Sequence, residues 1–284
     1  MLETEADVGE LKRLRVPDLE ARKQRGEKIA MLTAYDFTMA RLLERAGIDM
    51  LLVGDSLGMV ILGYETTLPV TLDAMVHHTR AVSRGATRAL VVADMPFLTY
   101  QTSVADAVRN AGRLLQEGGA AAVKIEGGGA TVEAAARLVE VGIPVMGHLG
   151  LVPQSVHQLG GFHQQATIVE DADELLADAH ALQEAGVFAV VLESIPAEVA
   201  RAVTTELRIP TIGIGAGPHC DGQVLVTYDM LGLSEGHVPS FVERYADLGE
   251  QTIAAARAFA DDIRTGRFPA VKPRAGELAG VRAE

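Results

Sequence analysis

One short pattern recurs along the chain and limits what it can fold into. A helical stretch ends in Gly, a few apolar residues follow, and the run stops at a polar or charged residue. AGIDMLLVGD (46–55), EGGAAAVKIE (117–126), VGIPVMGH (141–148) and AGVFAVVLE (185–193) are four instances. Gly is the residue expected just past a helix end, where a positive φ is needed. The apolar run reads as a buried parallel strand. Eight such strands can be placed, at 29–35, 50–55, 90–95, 122–126, 144–148, 188–193, 210–214 and 223–227.

Helical periodicity fills the intervals. Val104, Ala107, Val108, Ala111, Leu114 and Leu115 fall on one helical face, and Ser103 with Asp106 forms a capping box at its start. Ala172, Leu175, Leu176 and Ala179 repeat the spacing, as do Val199, Val203 and Leu207 after Pro196. Strands alternating with helices imply a parallel sheet, and eight units favour a closed (β/α)₈ TIM barrel over an open doubly wound sheet. The fold class expected is therefore α/β. Aromatic residues are 4% of the chain and Trp is absent, so the core must be built from Ala, Val, Leu and Ile. The barrel is expected over 28–265, with 239–265 as further helix. Residues 1–27 are expected to form a helical extension over the barrel bottom, and 266–284 a mobile tail.

Several classes of function are disfavoured. The formal charge of −13 repels phosphate backbones, so nucleic acid is not an expected partner. A lone cysteine, Cys220, allows neither an internal disulfide framework nor a Cys-based zinc site. It lies in GPHCDG, where no recognised pattern places a His or other base to activate it, so it reads as a passive thiol. The N-terminal stretch MLETEADVGELKRLR lacks the apolar core of a signal peptide, and apolar runs such as 187–192 are too short to span a bilayer. The chain reads as cytosolic, with no membrane partner.

In this fold, sites lie where strands end at the C-terminal face. Strand ends here carry Asp55-Ser56, Asp94, Lys124-x-Glu126, His148 and Glu193. A single Asp at a strand end is usually a cap or turn residue. Four acids and a lysine at equivalent positions point to a common site. Carboxylates gathered at one mouth repel one another unless a cation sits among them. Oxygen donors without cysteine suit Mg²⁺ or a similar hard ion. Lys124 and Glu126 are two apart on a strand and share a face, either as a structural ion pair or as substrate and metal contacts. His157 and His163 match no metal spacing with His148. Gly213, Gly215 and Gly217 lack the dinucleotide spacing and read as close packing at the rim. His77 and His78 read as structural helix residues, and the arginines of 80–88 as a solvated helix end.

GDSLGMV (54–60), VVADMPF (91–97), AVKIEGG (122–128), PVMGHLGLVPQSV (144–156), VVLES (190–194) and PTIGIGAG (210–217) together resemble the ketopantoate hydroxymethyltransferase family. The resemblance runs in order over roughly residues 28–232. It implies a (β/α)₈ barrel of the phosphoenolpyruvate- and pyruvate-using group. It implies transfer of a hydroxymethyl group from 5,10-methylenetetrahydrofolate to 3-methyl-2-oxobutanoate, giving 2-dehydropantoate in pantothenate biosynthesis. By that resemblance Asp55 and Asp94 hold Mg²⁺ and Glu126 completes the metal site, directly or through water. Asp55, Ser56, Asp94 and Lys124 contact the oxo acid, His148 lies near it, and Glu193 is the proton acceptor. The family assembles as homodecamers. A lyase on the same barrel would share the metal and the enolate, but no Lys-Lys-Cys-Gly-His loop of the isocitrate-lyase type is present. A non-catalytic binding protein would need no base, so the set including Glu193 argues against it.

Overall fold

The computed structural model describes residues 13–236 and 238–270. Helix α1 (Val16–Gln24) precedes β1 (Ile29–Thr33). Then follow α2 (Phe37–Arg45), β2 (Met50–Val53), α3 (Leu57–Val60), α4 (Leu72–Gly85), β3 (Leu90–Asp94), α5 (Val104–Gln116), β4 (Ala122–Glu126), α6 (Thr131–Glu140) and β5 (Val145–Gly150). A 3-10 turn (Pro153–Ser155) and α7 (Val156–Leu159) lead to α8 (Val169–Glu184) and β6 (Ala189–Glu193). Among the described residues, α9 (Ala197–Glu206), β7 (Thr211–Ile214), β8 (Gly222–Leu225), α10 (Thr227–Met230) and α11 (Leu248–Arg264) follow.

Among the described residues, eight strands pair in parallel with their sequence neighbours, and β8 returns to β1 to close the barrel. The glycines of the recurring pattern do what the pattern requires: Gly47, Gly119, Gly142 and Gly186 all have positive φ just past a helix end. The repeat lapses once, since no helix separates β7 from β8. Ser103 caps α5 by accepting from the Asp106 N–H, but the Asp106 carboxylate takes the Ser103 hydroxyl instead of its N–H, so only half of the capping box forms.

Side chains alternate across each strand. One set, including Val91, Val123, Ile125, Val190 and Leu192, packs outward against helix residues such as Ala107, Leu114, Leu138 and Leu182. The other set fills the barrel with Ile29, Met50, Leu90, Val92, Ala122, Met146, Ala189 and Val191, together with Leu14 and Leu19 from the segment around α1. Of the extension expected over 1–27, α1 occupies Val16–Gln24, and residues 1–12 lie outside the described set.

Two sequence expectations are corrected here. Helix does not span 239–265; it begins at Leu248, and 239–247 is irregular. Tertiary bonds hold that segment instead: the Tyr245 N–H donates to the Met230 carbonyl and the Leu248 N–H to that of Leu231. The arginines of 80–88 are not a uniformly solvated end. Arg88 is largely buried, lies 3.7 Å from Asp49 and donates to the Ile48 carbonyl, because the start of β3 sits against the barrel floor. His78 keeps its structural role, with its Nδ1 2.7 Å from the Tyr35 carbonyl. Of the tail expected at 266–284, residues 271–284 lie outside the described set.

Candidate active site

The alternation that packs the barrel also builds its mouth. Reading inward positions upward, β3 runs Leu90, Val92, Asp94 and β4 runs Ala122, Lys124, Glu126. Likewise β5 runs Met146, His148 and β6 runs Ala189, Val191, Glu193. Each strand turns from apolar to polar at the same level. Register then sets neighbours side by side, with Asp94 beside Lys124 and Glu126 beside His148. Asp55 and Ser56 lie just past β2, and the Asp55 N–H donates to Asp94 Oδ2 at 3.0 Å. A Cβ at Gly54 would meet Ser56 Oγ at 2.7 Å, so a larger residue at this bend would displace the Ser56 hydroxyl.

Lys124 is the hub. Its Nζ lies 3.1 Å from Asp94 Oδ1, 3.1 Å from His148 Nδ1 and 3.6 Å from Glu126 Oε1. The partner expected from the strand spacing, Glu126, is thus the more distant carboxylate, because the adjacent strand brings Asp94 closer. His148 Nε2 lies 3.2 Å from Glu193 Oε2, off the line of a hydrogen bond. Asp55, Asp94, Lys124, Glu126 and His148 are buried, whereas the Glu193 side chain keeps 17% of its exposure. Ser56 Oγ lies 2.9 Å from the Tyr35 hydroxyl.

Burial opposes every charge in this cluster, and the neighbours decide which charges persist. Desolvation, then the charges of Glu126 and Asp94, raise the Asp55 carboxyl well above its ordinary range. Burial also raises Asp94, with Lys124 pulling the other way and Glu126 adding to the rise. Glu126 is lowered, since Lys124 and His148 overcome its burial. Lys124 stays raised because three carboxylates outweigh its desolvation. For His148, burial and the Lys124 charge oppose protonation, but contacts with Glu126 and Glu193 win and raise it.

Two residues of this site escape a reading of the strand ends. Gln154, in the 3-10 turn, is buried and every polar atom of its amide is used. Its Nε2 donates to Asp55 Oδ2 and to the Met95 carbonyl, both at 2.9 Å. Its Oε1 accepts from the Tyr100 hydroxyl and from Gln101 Nε2, and its N–H donates to Glu126 Oε2 at 3.0 Å. The Tyr100 hydroxyl in turn accepts from the Glu126 N–H. Gln154 thereby orients two carboxylates, one just past β2 and one on β4. Nothing in its local sequence separates it from an ordinary loop glutamine.

The other singled-out residues lie elsewhere. His157 and His163 are exposed, and His163 Nε2 lies 3.2 Å from the Gly160 carbonyl. Cys220 is buried, which raises its thiol, and it packs against Gly213. Gly215 and Gly217 have positive φ and close packing at the rim. No helix among the described residues is long and apolar enough to cross a membrane. Asp55, Ser56, Asp94, Lys124, Glu126, His148 and Glu193 all line one cavity of about 870 Å³.

The family model for ketopantoate hydroxymethyltransferase matches residues 13–271. The chain belongs to the ketopantoate hydroxymethyltransferase family. It is 60% identical to the 3-methyl-2-oxobutanoate hydroxymethyltransferase of Moorella thermoacetica, over 90% of this chain and 96% of that one. It is 59% identical to the enzyme of the same name from Thermosynechococcus vestitus, over 89% and 97% of the two chains. Among solved structures it is similar in fold to phosphonopyruvate hydrolase (TM-score 0.60, 13% identity, 92% and 93% covered). A second likeness is to 2,3-dimethylmalate lyase, a member of the PEP mutase/isocitrate lyase superfamily (TM-score 0.59, 19% identity, 92% and 91% covered). At these identities the likeness is one of barrel architecture, and the membership makes the chain a transferase of the hydroxymethyltransferase family.

Proposed function

We propose that the chain transfers a hydroxymethyl group from 5,10-methylenetetrahydrofolate to 3-methyl-2-oxobutanoate, giving 2-dehydropantoate for pantothenate biosynthesis. The observation that carries the reading is the convergence of a lysine, a histidine and four carboxylates in one mouth cavity of a chain of this family.

The residues fit a bound Mg²⁺. Asp94 Oδ1 is buried and has no aligned hydrogen bond, although Lys124 Nζ is 3.1 Å away. Asp55, pushed up by burial and by its neighbours' charges, would be relieved by a divalent cation. Among the described residues, no three His, Cys, Asp or Glu side chains form a ready metal cage. Mg²⁺ does not need one, since it ordinarily takes one or two carboxylates and fills its shell with water and substrate. Asp55 and Asp94 would hold it, with Glu126 in support. When bound, it would stabilise negative charge on the substrate's keto oxygen as the enolate forms.

The chain's own residues do the rest. Lys124 faces the substrate carboxylate, and Ser56, Asp55 and Asp94 help to place the oxo acid. Glu193, the least buried carboxylate of the set, takes the proton from C3. His148 sits against Glu193 on one side and Lys124 on the other, so it steadies the base. The carbanionic C3 then attacks the one-carbon unit at the formaldehyde level. The bonds from that carbon to the two folate nitrogens break, and water supplies the hydroxyl oxygen. Tetrahydrofolate leaves carrying the two protons released by C3 and by water.

The test is turnover of 3-methyl-2-oxobutanoate with 5,10-methylenetetrahydrofolate and Mg²⁺. Product is expected only when all three are present, and EDTA should abolish it reversibly. Product without folate would favour a lyase-type reaction, and full activity in EDTA would remove the metal from the reading.

We also propose that the chain works as a homodecamer in the cytoplasm. Helix α11 supports self-association: none of its residues is buried, and Ile253, Phe259 and Ile263 stand exposed. Light scattering should report a large assembly at micromolar concentration, and a stable monomer would refute it.

A further inference from the structure

The mouth cavity is far larger than a small oxo acid. Its volume of about 870 Å³ is that of a site for a drug-sized ligand. Its reacting groups lie on inward strand positions, and the remaining wall has a different character. Three exposed aromatic side chains line it: Tyr64 at 42%, Phe162 at 50% and Phe241 at 38% exposure. Large exposed aromatics that share one cavity call for a flat apolar partner.

One half-buried carboxylate stands in this wall and takes no part in the chemistry described above. Asp229, on α10, gives Oδ1 to the Ser234 hydroxyl at 2.5 Å. Among the described residues nothing is hydrogen-bonded to its other oxygen, and the residue faces the cavity. Asp229 and Phe241 belong to one braced unit, because the Tyr245 N–H donates to the carbonyl of Met230, next to Asp229. Phe241 is seated by Gly215, whose φ is +61°; a Cβ there would lie 2.6 Å from the ring. Only glycine at this point lets the ring lie over the end of β7.

Charge sets the direction of entry. Among the described residues, Lys124 is the sole Lys or Arg lining the cavity, and it is committed to the buried carboxylates. Glu65 and Glu235, both exposed, are acidic residues of the same wall. A glutamate tail is repelled there, whereas a ring edge rich in N–H donors is welcome.

Resting on the folate-dependent reading above, we propose that this wall is the donor subsite. The bicyclic pterin head enters first, its adjacent ring N–H and amino group donate to Asp229, and Phe241 covers its face. The glutamyl tail points out to solvent.

The experiment titrates the full-length protein with tetrahydrofolate by calorimetry, beside steady-state kinetics with 5,10-methylenetetrahydrofolate. Asp229→Asn should weaken tetrahydrofolate binding and raise the donor KM by about tenfold or more, as loss of a charged hydrogen-bond acceptor does. Phe241→Ala should raise both several-fold. The KM for the oxo acid should stay within about twofold. Solvent exchange of the C3 hydrogen, which needs no folate, reports in the same preparations that the barrel is folded. Wild-type donor affinity in both variants would overturn the subsite. If Asp229→Asn fails to fold, Phe241→Ala decides alone, since its side chain is on the surface. Failure of the functional reading is distinct: wild-type protein would then make no product at all.

Discussion

At the lower end of the barrel the inward positions are Ile29, Met50, Leu90, Ala122 and Ala189, and Leu19 of α1 is fully buried among them. Further up the same strands they become Asp94, Lys124, Glu126, His148 and Glu193. The floor is stabilised by removing apolar surface from water, worth about 25 cal/mol per Å². Its few charges lie outside the packed layer, where Arg22 lies 2.8 Å from Asp49. The mouth instead buries charges whose mutual attraction must offset a large desolvation cost. Asp55 and Asp94 are held above their ordinary range, so the folded state binds protons more tightly than the unfolded chain does. Their contribution to stability is therefore greatest at low pH. It is lost as pH rises from the ordinary carboxylate range through the raised values. One end of the barrel is arranged for stability, and the other gives some stability up to hold reactive groups close together.

The sharpest way to break this contrast is at the mouth. Glu193→Gln keeps the shape of the proposed base and loses its basic oxygen. In D₂O, proton NMR should show exchange of the C3 hydrogen of 3-methyl-2-oxobutanoate slowed by roughly 10²–10⁴-fold. The melting temperature should barely move. Unchanged exchange would shift the base to another residue, and His148, 3.2 Å from Glu193, would be the first to test.

A cut at the floor should do the reverse. Leu19→Ala removes a fully buried side chain from beneath the barrel and should cost about 2–5 kcal/mol of stability, read by denaturant unfolding. Turnover at a temperature where the variant is folded should remain near wild type. A large loss of kcat without loss of stability would show that the two ends are coupled.

The smallest effect is the most diagnostic. Asp55→Asn leaves an oxygen to accept from Gln154 Nε2 but removes a charge that its neighbours oppose. In EDTA at neutral pH its melting temperature should match or exceed wild type by up to a few degrees, roughly 1 kcal/mol for a chain of this size. Activity should nevertheless be lost. A clear fall in melting temperature would mean that the mouth is stabilising after all.

Much of this contrast was legible along the chain. Asp94, Lys124, Glu126, His148 and Glu193 could be placed at one mouth because parallel strands end at the same face and side chains alternate with a period of two. Gln154 and Tyr100 could not, since their role depends on contacts with Asp55 and Glu126 from distant parts of the chain. The segment 239–247 misled for a related reason. Its composition permits a helix, but bonds to α10 and the seat that Gly215 offers Phe241 hold it irregular. Arg88 likewise reads as a solvated helix end until closure of the barrel sets Asp49 beside it.

By itself the sequence determined the repeat, the parallel strands, their level polar ends and the family. These follow from short-range rules: glycine's freedom at a helix end, the period of a strand, and the cost of exposing apolar runs. The tertiary structure alone decided which groups touch. It put Lys124 nearer to Asp94 than to Glu126, set His148 against Glu193, tied two carboxylates to Gln154 and turned Asp229 and Phe241 toward the cavity. The reason is that an interaction energy depends on distances of a few ångströms between side chains of separate elements. Those distances exist only once eight strands have closed into a barrel with one register.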